Sequence, residues 1–230
     1  VTGDTVPPSS PTASSGLWAR ILSACVLIPP VIAAIYFGFP YFNLLIGAGV
    51  VIMAWEWWGL CDRKPLWILF GCIYIGLPSF ALLHIRSYPE MGFETVMWTF
   101  LLVWAADTGA YAAGRMIGGP KLAPKISPNK TWAGLLGGVS SAGIVGFIAS
   151  LVLDLQNVIP LVFVSMFLGL VSQGGDLLES WVKRKFDKKD AGSIIPGHGG
   201  VLDRVDGLLA ASFGAAVIGY LIEGSALTWG

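Results

Sequence analysis

Charge is what this sequence has least of. Asp, Glu, Lys and Arg make up 12% of its 230 residues, about half the share usual in a soluble globular domain, and histidine occurs only twice. The 14 basic and 14 acidic residues cancel to a formal net charge of zero, so the chain as a whole carries no electrostatic footprint for nucleic acid. Cysteine is nearly as scarce: Cys25, Cys61 and Cys72 are an odd number, lie in or beside apolar runs and lack metal-ligand spacing. That excludes a disulfide framework and a thiolate metal centre, and the three are read as buried thiols. No internal repeat, heptad pattern or inverted-repeat symmetry is present.

Apolar residues are what the chain has in excess, at 55% of the total with 10 Trp, 30 Gly and a mean hydropathy of +0.72. Crossing a hydrocarbon core of about 30 Å takes about 20 residues of helix. Runs of that kind occur at approximately 17–38, 41–60, 65–85, 95–115, 132–153, 158–175 and 207–224. The expected fold is therefore all-α, a polytopic transmembrane bundle of about seven spans. Residues 1–16, VTGDTVPPSSPTASSG, have almost nothing to bury and are expected to form a disordered tail. The first run is too long for the apolar stretch of a signal peptide and is followed by further spans, so it is read as a retained helix. Residues 17–94 are assigned to N-terminal transmembrane helices and 95–230 to the catalytic transmembrane domain.

Cytoplasmic loops carry an excess of Lys and Arg. With the N-terminus inside, the inner face receives Arg20, Arg63, Lys64, Arg115, Lys121, Lys125, Lys130, Lys183, Arg184, Lys185, Lys188, Lys189 and Arg204, 13 of the 14 basic residues, and only Arg86 falls outside. Two long polar loops, 115–131 and 176–206, then share the cytoplasmic side. They are where chemistry is expected.

In QGGDLLESWVKRKFDKKD, Asp176, Ser180, Lys183 and Asp187 fall on one helical face. A membrane-surface amphipathic helix would give a similar pattern, but Asp176 and Glu179, where a span leaves the bilayer, add nothing to anionic-lipid attraction. In PGHGGVLDRVDG, Asp203 and Asp206 are three apart; carboxylates at about 5 Å repel by roughly 3 kcal/mol at an effective dielectric near 20. A divalent cation is the simplest relief, and Mg²⁺ takes one or two carboxylates, completing its shell with water and substrate phosphates. Local pairing with Arg204, or an acid favouring the start of the last span, is the plainer explanation. Gly197, Gly199 and Gly200 permit positive φ and close approach to a phosphate. His198 is kept as a site residue without the role of general base.

The other loop, GRMIGGPKLAPKISPNKTWAGLLGG, offers Lys121, Lys125 and Lys130 with Ser127, Asn129 and Thr131, a composition suited to a polyphosphate, on a backbone stiffened by Pro120, Pro124 and Pro128. It is not a P-loop, because NKT lacks the preceding Gly pattern. Positive-inside charge alone would also place lysines there. Upstream, Asp107 lies within the fourth run, where an acid costs about 2.5–3.5 kcal/mol on insertion scales and is a functional candidate by default. Tyr111 and Arg115 share its face, whereas Glu56, in MAWEWWGL, is adequately explained as an interfacial anchor. The pattern points to metal-dependent phosphoryl or nucleotidyl transfer on a lipid.

The run SWVKRKFDKKDAGSIIPGHGGVLDRVDG, 180–207, closely resembles the signature of the phosphatidate cytidylyltransferases, or CDP-diacylglycerol synthases. It has that family's Ser-x-x-Lys-Arg, Lys-Asp, Pro-x-His-Gly-Gly and Asp-Arg-x-Asp in register. WAADTGAYAAGR and KLAPKISPNKTWAG are similar to two further family segments, so the resemblance covers about residues 95–225, with EWWGL a weaker echo. It implies a multi-pass enzyme of the bacterial inner membrane, facing the cytoplasm and dimeric, that joins CTP and phosphatidate into CDP-diacylglycerol and pyrophosphate. It further implies Mg²⁺ as cofactor, with room for a second cation such as K⁺. Carried onto matching positions, Asp176, Asp203 and Asp206 with Ser180 are the expected metal site, and Lys183 acts beside them. Lys121, Lys125, Ser127, Lys130, Thr131, Arg184, His198, Gly199, Gly200, Arg204 and Asp107 are the expected substrate contacts. One departure is visible: only CDRK separates the second and third runs, leaving the bundle about two helices short of the family's usual number. Two rivals are weaker. DRVDGLLA echoes a CDP-alcohol phosphotransferase motif whose downstream half is missing, and a transporter would need polar residues on both sides.

Overall fold

The computed structural model describes residues 26, 28–194 and 199–228. Among them the elements are α1 (Ile28–Phe37), α2 (Tyr41–Leu60), α3 (Pro65–Arg86), α4 (Gly92–Met116), a hairpin of β1 (Lys121–Ala123) and β2 (Ser127–Thr131), α5 (Trp132–Val152), α6 (Val158–Lys185), α7 (Leu202–Leu221) and a terminal 3₁₀ turn at Ala226–Thr228. Helix starts follow local chemistry. Pro65 occupies the first turn of α3, where its missing N–H costs nothing, and the Thr131 hydroxyl accepts the Gly134 N–H at 3.0 Å to cap α5.

Five helices, α2, α3, α5, α6 and α7, are long and apolar enough to cross a bilayer. Their 20–28 residues correspond to about 30–42 Å at 1.5 Å per residue. The expected count of seven is thus met only in part. The fourth run is a helix of 25 residues, α4, but it lies outside that apolar set, with Asp107 in the middle of its apolar stretch. The first run is described only from its second half, as the short helix α1, and the expected tail at 1–16 lies outside the described residues.

Three further expectations are corrected. The 115–131 loop is not irregular: it folds into the antiparallel hairpin, with Lys121 opposite Thr131 and Ala123 opposite Ser127, so the fold is helical with one small sheet. The span expected at 158–175 and the amphipathic segment after it are one continuous helix, α6. The last helix begins at Leu202, five residues before the expected boundary, which brings both Asp203 and Asp206 inside it. Of the cysteines, Cys61 is buried, and desolvation pushes its thiol up to about 11. Cys72 is instead exposed, on the groove between α2 and α3, and Cys25 is outside the described residues.

Small residues set the spacing at the centre of the bundle. Along α5, Gly134, Gly138, Ala142 and Gly146 recur every fourth position and are buried. A Cβ added at Gly138 would stand 2.7 Å from the Ala106 carbonyl oxygen of α4, and one at Gly146 would stand 2.2 Å from Ser165 Oγ of α6. Lipid tails are as apolar as a leucine-rich helix, so close backbone packing, rather than burial from water, is what holds such helices together. Outward positions carry the large apolar side chains that this surface requires, among them Leu66, Phe80, Leu136 and Phe163. A second buried cluster, including Trp57, Leu60, Val182, Phe186, Leu202 and Leu209, joins α2, α6 and α7 at one end of the bundle. Gly138→Ala should destabilise the protein by about 1–3 kcal/mol through overpacking against backbone, read as a lower midpoint of thermal unfolding in detergent; an unchanged midpoint would contradict the close α4–α5 contact.

Candidate active site

The functional side chains come from the C-terminal ends of α4 and α6, the N-terminal end of α7 and β2. The hairpin folds back so that Lys130 meets α6, where its Nζ lies 2.7 Å from Asp176 Oδ2. Asp176 Oδ1 also accepts from the Ser180 hydroxyl one turn on, at 3.2 Å. These two residues belong to the expected stripe on α6. The third, Lys183, reaches across to α7 and bonds Asp203 Oδ1 at 2.7 Å while keeping Glu179 Oε2 at 2.7 Å on its own helix.

Asp203 is fully engaged. Besides Lys183 it accepts the Ala191 N–H at 2.9 Å and the Gly200 N–H at 2.9 Å. Asp203 is therefore compensated by Lys183 and by loop amides, and the acids that act on Asp206 are Asp176 and Glu179 rather than Asp203. Asp206 lies against the Glu179 carboxyl and in the field of Asp176, and accepts the Gly207 N–H at 2.8 Å. Glu179 is buried at 1% exposure, and its second oxygen, Oε1, has no hydrogen-bond partner. An orphaned buried carboxylate oxygen is costly unless something else satisfies it.

Beside this cluster is a cavity of about 470 Å³ between α4, α5, α6 and the hairpin. Asp107, Tyr111, Arg115, Asn129, Lys130, Thr131, Gln173 and Asp176 all line it. The expected shared face of Asp107, Tyr111 and Arg115 is thus real, and Arg115 Nη1 donates to the Tyr111 hydroxyl at 2.9 Å. Two cations and several neutral donors around one cavity suit a phosphate chain.

Other expected contacts are placed elsewhere. Lys121 and Lys125 are exposed on the hairpin and Ser127 is half-buried; none of the three lines the cavity. Arg184 braces loops, donating to the carbonyls of Ile126 at 3.2 Å and Lys188 at 3.0 Å. Arg204 is exposed in the first turn of α7, and His198 lies outside the described residues. Gly199 has φ +84°, a conformation that favours glycine.

Glu56, expected as an interfacial anchor, has a different role. It is 2% exposed, and its two oxygens accept the Val201 N–H at 2.9 Å and the Leu202 N–H at 2.8 Å, so a carboxylate from α2 caps α7. Side chains at Gly192 or Gly200 would meet Glu56 Oε1 at 2.6 and 2.7 Å. Gly200 is therefore required by this packing, a reason distinct from approach to a phosphate. Gln173 was missed; a lone Gln in an apolar run gives no periodic signal.

A model for the cytidylyltransferase family matches residues 63–222. The chain belongs to the cytidylyltransferase family. Members of this family are nucleotidyltransferases, and so is this enzyme. Similar proteins include a phosphatidate cytidylyltransferase of Rickettsia bellii, 42% identical over 202 residues that cover 85% of this chain and 87% of the relative. A phosphatidate cytidylyltransferase of Rickettsia felis is 40% identical over 200 residues, 84% of this chain and 88% of the relative. One of Brucella suis is 46% identical over 146 residues, 64% of this chain but only 54% of the relative, so the chain spans about half of that longer protein.

The ion network yields a direct test. Removing one partner of a buried pair strands the other charge at a cost of about 3–5 kcal/mol, and Lys183 serves two carboxylates whose side chains are 0% and 7% exposed. Lys183→Met should lower the unfolding midpoint in detergent accordingly, with Lys183→Arg recovering part of the loss. Equal stability of Lys183→Met and the unsubstituted protein would contradict the network.

Proposed function

We propose that this site joins CTP and phosphatidate into CDP-diacylglycerol and pyrophosphate, at the cytoplasmic face of a bacterial inner membrane. The observation that carries the reading is one cavity with Arg115 and Lys130 on its wall, directly beside the carboxylates of α6 and α7. The names of the relatives, phosphatidate cytidylyltransferases, support the same substrates.

The charge balance supports a divalent cation. Asp107, Asp176, Glu179, Asp203 and Asp206 face Arg115, Lys130 and Lys183, a formal excess of two negative charges. No three of His, Cys, Asp and Glu among the described residues form a protein-only metal cage. Mg²⁺ needs none, since it binds through one or two carboxylates with water and substrate phosphates. The hard oxygens of Asp176, Asp206 and Ser180, with Asp203 alongside and the orphaned Glu179 Oε1, are a fitting donor set, and a second cation such as K⁺ would suit the remaining oxygens. Bound there, Mg²⁺ would neutralise phosphate charge and polarise the phosphorus under attack.

The protein's own part is positioning and charge compensation. Lys130 and Arg115 hold the triphosphate, and Thr131 and Gly134 fix the β2–α5 corner that presents Lys130. Lys183 holds Glu179 and Asp203 together across the α6–α7 seam. The lipid phosphate oxygen bonds to the α-phosphorus of CTP as the bond to the pyrophosphate oxygen breaks, in line. The attacking oxygen is already anionic at neutral pH, so no base has to remove a proton.

Purified protein should release pyrophosphate only when CTP, phosphatidate and Mg²⁺ are all present. A CDP-alcohol phosphotransferase would release CMP from a CDP-lipid, and a transporter would do neither; either result, or silence from a folded sample, overturns the proposal. Lys130→Ala should raise KM for substrate roughly tenfold or more, the scale of one charge-assisted contact, and unchanged KM values for both substrates would remove Lys130 from phosphate binding.

A further inference from the structure

Arg115 and Lys130 supply the cations of the cavity wall, but two other polar groups on that wall do not suit a phosphate chain. Asp107 is an anion. A carboxylate about 5 Å from a phosphate charge is repelled by roughly 3 kcal/mol at an effective dielectric near 20, so the part of a ligand beside it should be a neutral hydrogen-bond donor. Gln173 is 5% exposed and lines the same cavity, and its amide has no hydrogen-bond partner among the described residues. A covered amide left unbonded is costly, and a ligand in the cavity would relieve it.

Both groups sit at one end of the cavity. On α4, Asp107 precedes Arg115 by eight residues, about 12 Å of helix rise. On α6, Gln173 lies one turn before Asp176, the partner of Lys130. A Cβ at Gly138 would stand 3.1 Å from Gln173 Nε2 and 2.7 Å from the Ala106 carbonyl oxygen. Gln173 is therefore level with the residue next to Asp107, where α4, α5 and α6 meet. Ala110, Gly114 and Gly134 make up the wall between this end and Arg115, and side chains so small leave room for a flat ring.

We infer that this end of the cavity takes the cytosine base, with Asp107 accepting from its 4-amino group and the Gln173 amide donating to its ring N3 or O2. The inference rests on the functional reading above and deepens it by naming what selects the nucleotide. Base, α-phosphate and pyrophosphate then follow one another along the cavity, from Asp107 past Lys130 and Asp176 to Arg115. That order leaves the α-phosphorus beside the proposed cation site. Uracil carries a carbonyl oxygen where cytosine carries the amino group, so UTP would set an acceptor against a carboxylate. A site built to bond a polar group discriminates strongly against an analogue that lacks it, because its own buried groups are then left unpaired.

The test is pyrophosphate release by the full chain in phosphatidate-containing micelles with Mg²⁺, compared for CTP, dCTP and UTP. The unsubstituted protein should use CTP at least roughly a hundredfold better than UTP in kcat/KM. Asp107→Asn, which can donate to the uracil carbonyl, should cut that ratio by roughly tenfold or more. Gln173→Glu, which can accept from the uracil N–H, should shift the ratio the same way. Gln173→Leu should raise KM for CTP about tenfold while KM for phosphatidate stays within about twofold. For a variant that turns over too slowly, equilibrium displacement of labelled CTP by UTP reads the same preference. A merely structural role, or a role at the phosphates, would weaken both nucleotides equally. An unchanged CTP/UTP ratio in Asp107→Asn and Gln173→Glu would thus overturn the assignment. So would a changed CTP/dCTP ratio with CTP/UTP unaltered, which would give the carboxylate to the ribose. Failure of the unsubstituted protein to release pyrophosphate from CTP and phosphatidate would overturn the functional reading itself, whereas normal CTP turnover without base preference overturns only the base assignment.

Discussion

The site depends on a reciprocal clamp between the C-terminal end of α2 and the loop that leads into α7. Glu56 of α2 accepts the Val201 and Leu202 amides at the start of α7. Lys188 of the loop donates to the Gly59 and Leu60 carbonyls at the end of α2, at 2.6 and 3.0 Å, and to Asp62, whose carboxyl this bond holds below the usual range. Each helix end thus receives the charge its dipole favours, an anion at an N-terminus and a cation at a C-terminus. The apolar cluster of Trp57, Phe186 and Leu202 packs beneath these bonds. Without the clamp, Asp203 and Asp206 would ride on a helix start with two unsatisfied, buried N–H groups.

The second constraint is the compensation of charge within a protein that has few charges. Lys183 ties α6 to α7 through Asp203, and Lys130 ties the hairpin to α6 through Asp176. These two bonds bring three segments, far apart in sequence, to one cavity wall. The close packing of glycines along α5 lets α4 and α6 approach, so that Asp107 and Arg115 of α4 share that wall with Gln173 and Asp176 of α6. What stays uncompensated, Asp206 and one oxygen of Glu179, lies where a cation is proposed.

Much of this was legible in sequence because bilayer thickness and helical period are strong constraints. Apolar runs located α2, α3, α4, α5 and the start of α6 to within a few residues and α7 to within five, and the i, i+4 spacing correctly placed Ser180 against Asp176 and Arg115 near Tyr111. The hairpin escaped because a five-residue strand containing Pro128 carries no clear alternation. The α7 boundary was misplaced because DRVDG resembles a polar loop, whereas Glu56 supplies from another helix the cap that lets α7 begin at Leu202. The capping role of Glu56 escaped for the same reason: its partners are backbone amides 145 residues away, and nothing local marks them. The pairing of Lys183 with Asp203 is likewise tertiary, and helical spacing alone gave only the face.

The most direct test of the clamp is amide hydrogen exchange of the 199–203 segment in Glu56→Ala, measured with pyrophosphate release from the same sample. Two lost buried acceptor bonds should cost about 1–3 kcal/mol each, so the Val201 and Leu202 amides should exchange faster by at least roughly tenfold, while α5 keeps its protection and turnover falls. Unchanged exchange at Val201 and Leu202, or faster exchange with full turnover, would contradict the claim that Glu56 holds the site together.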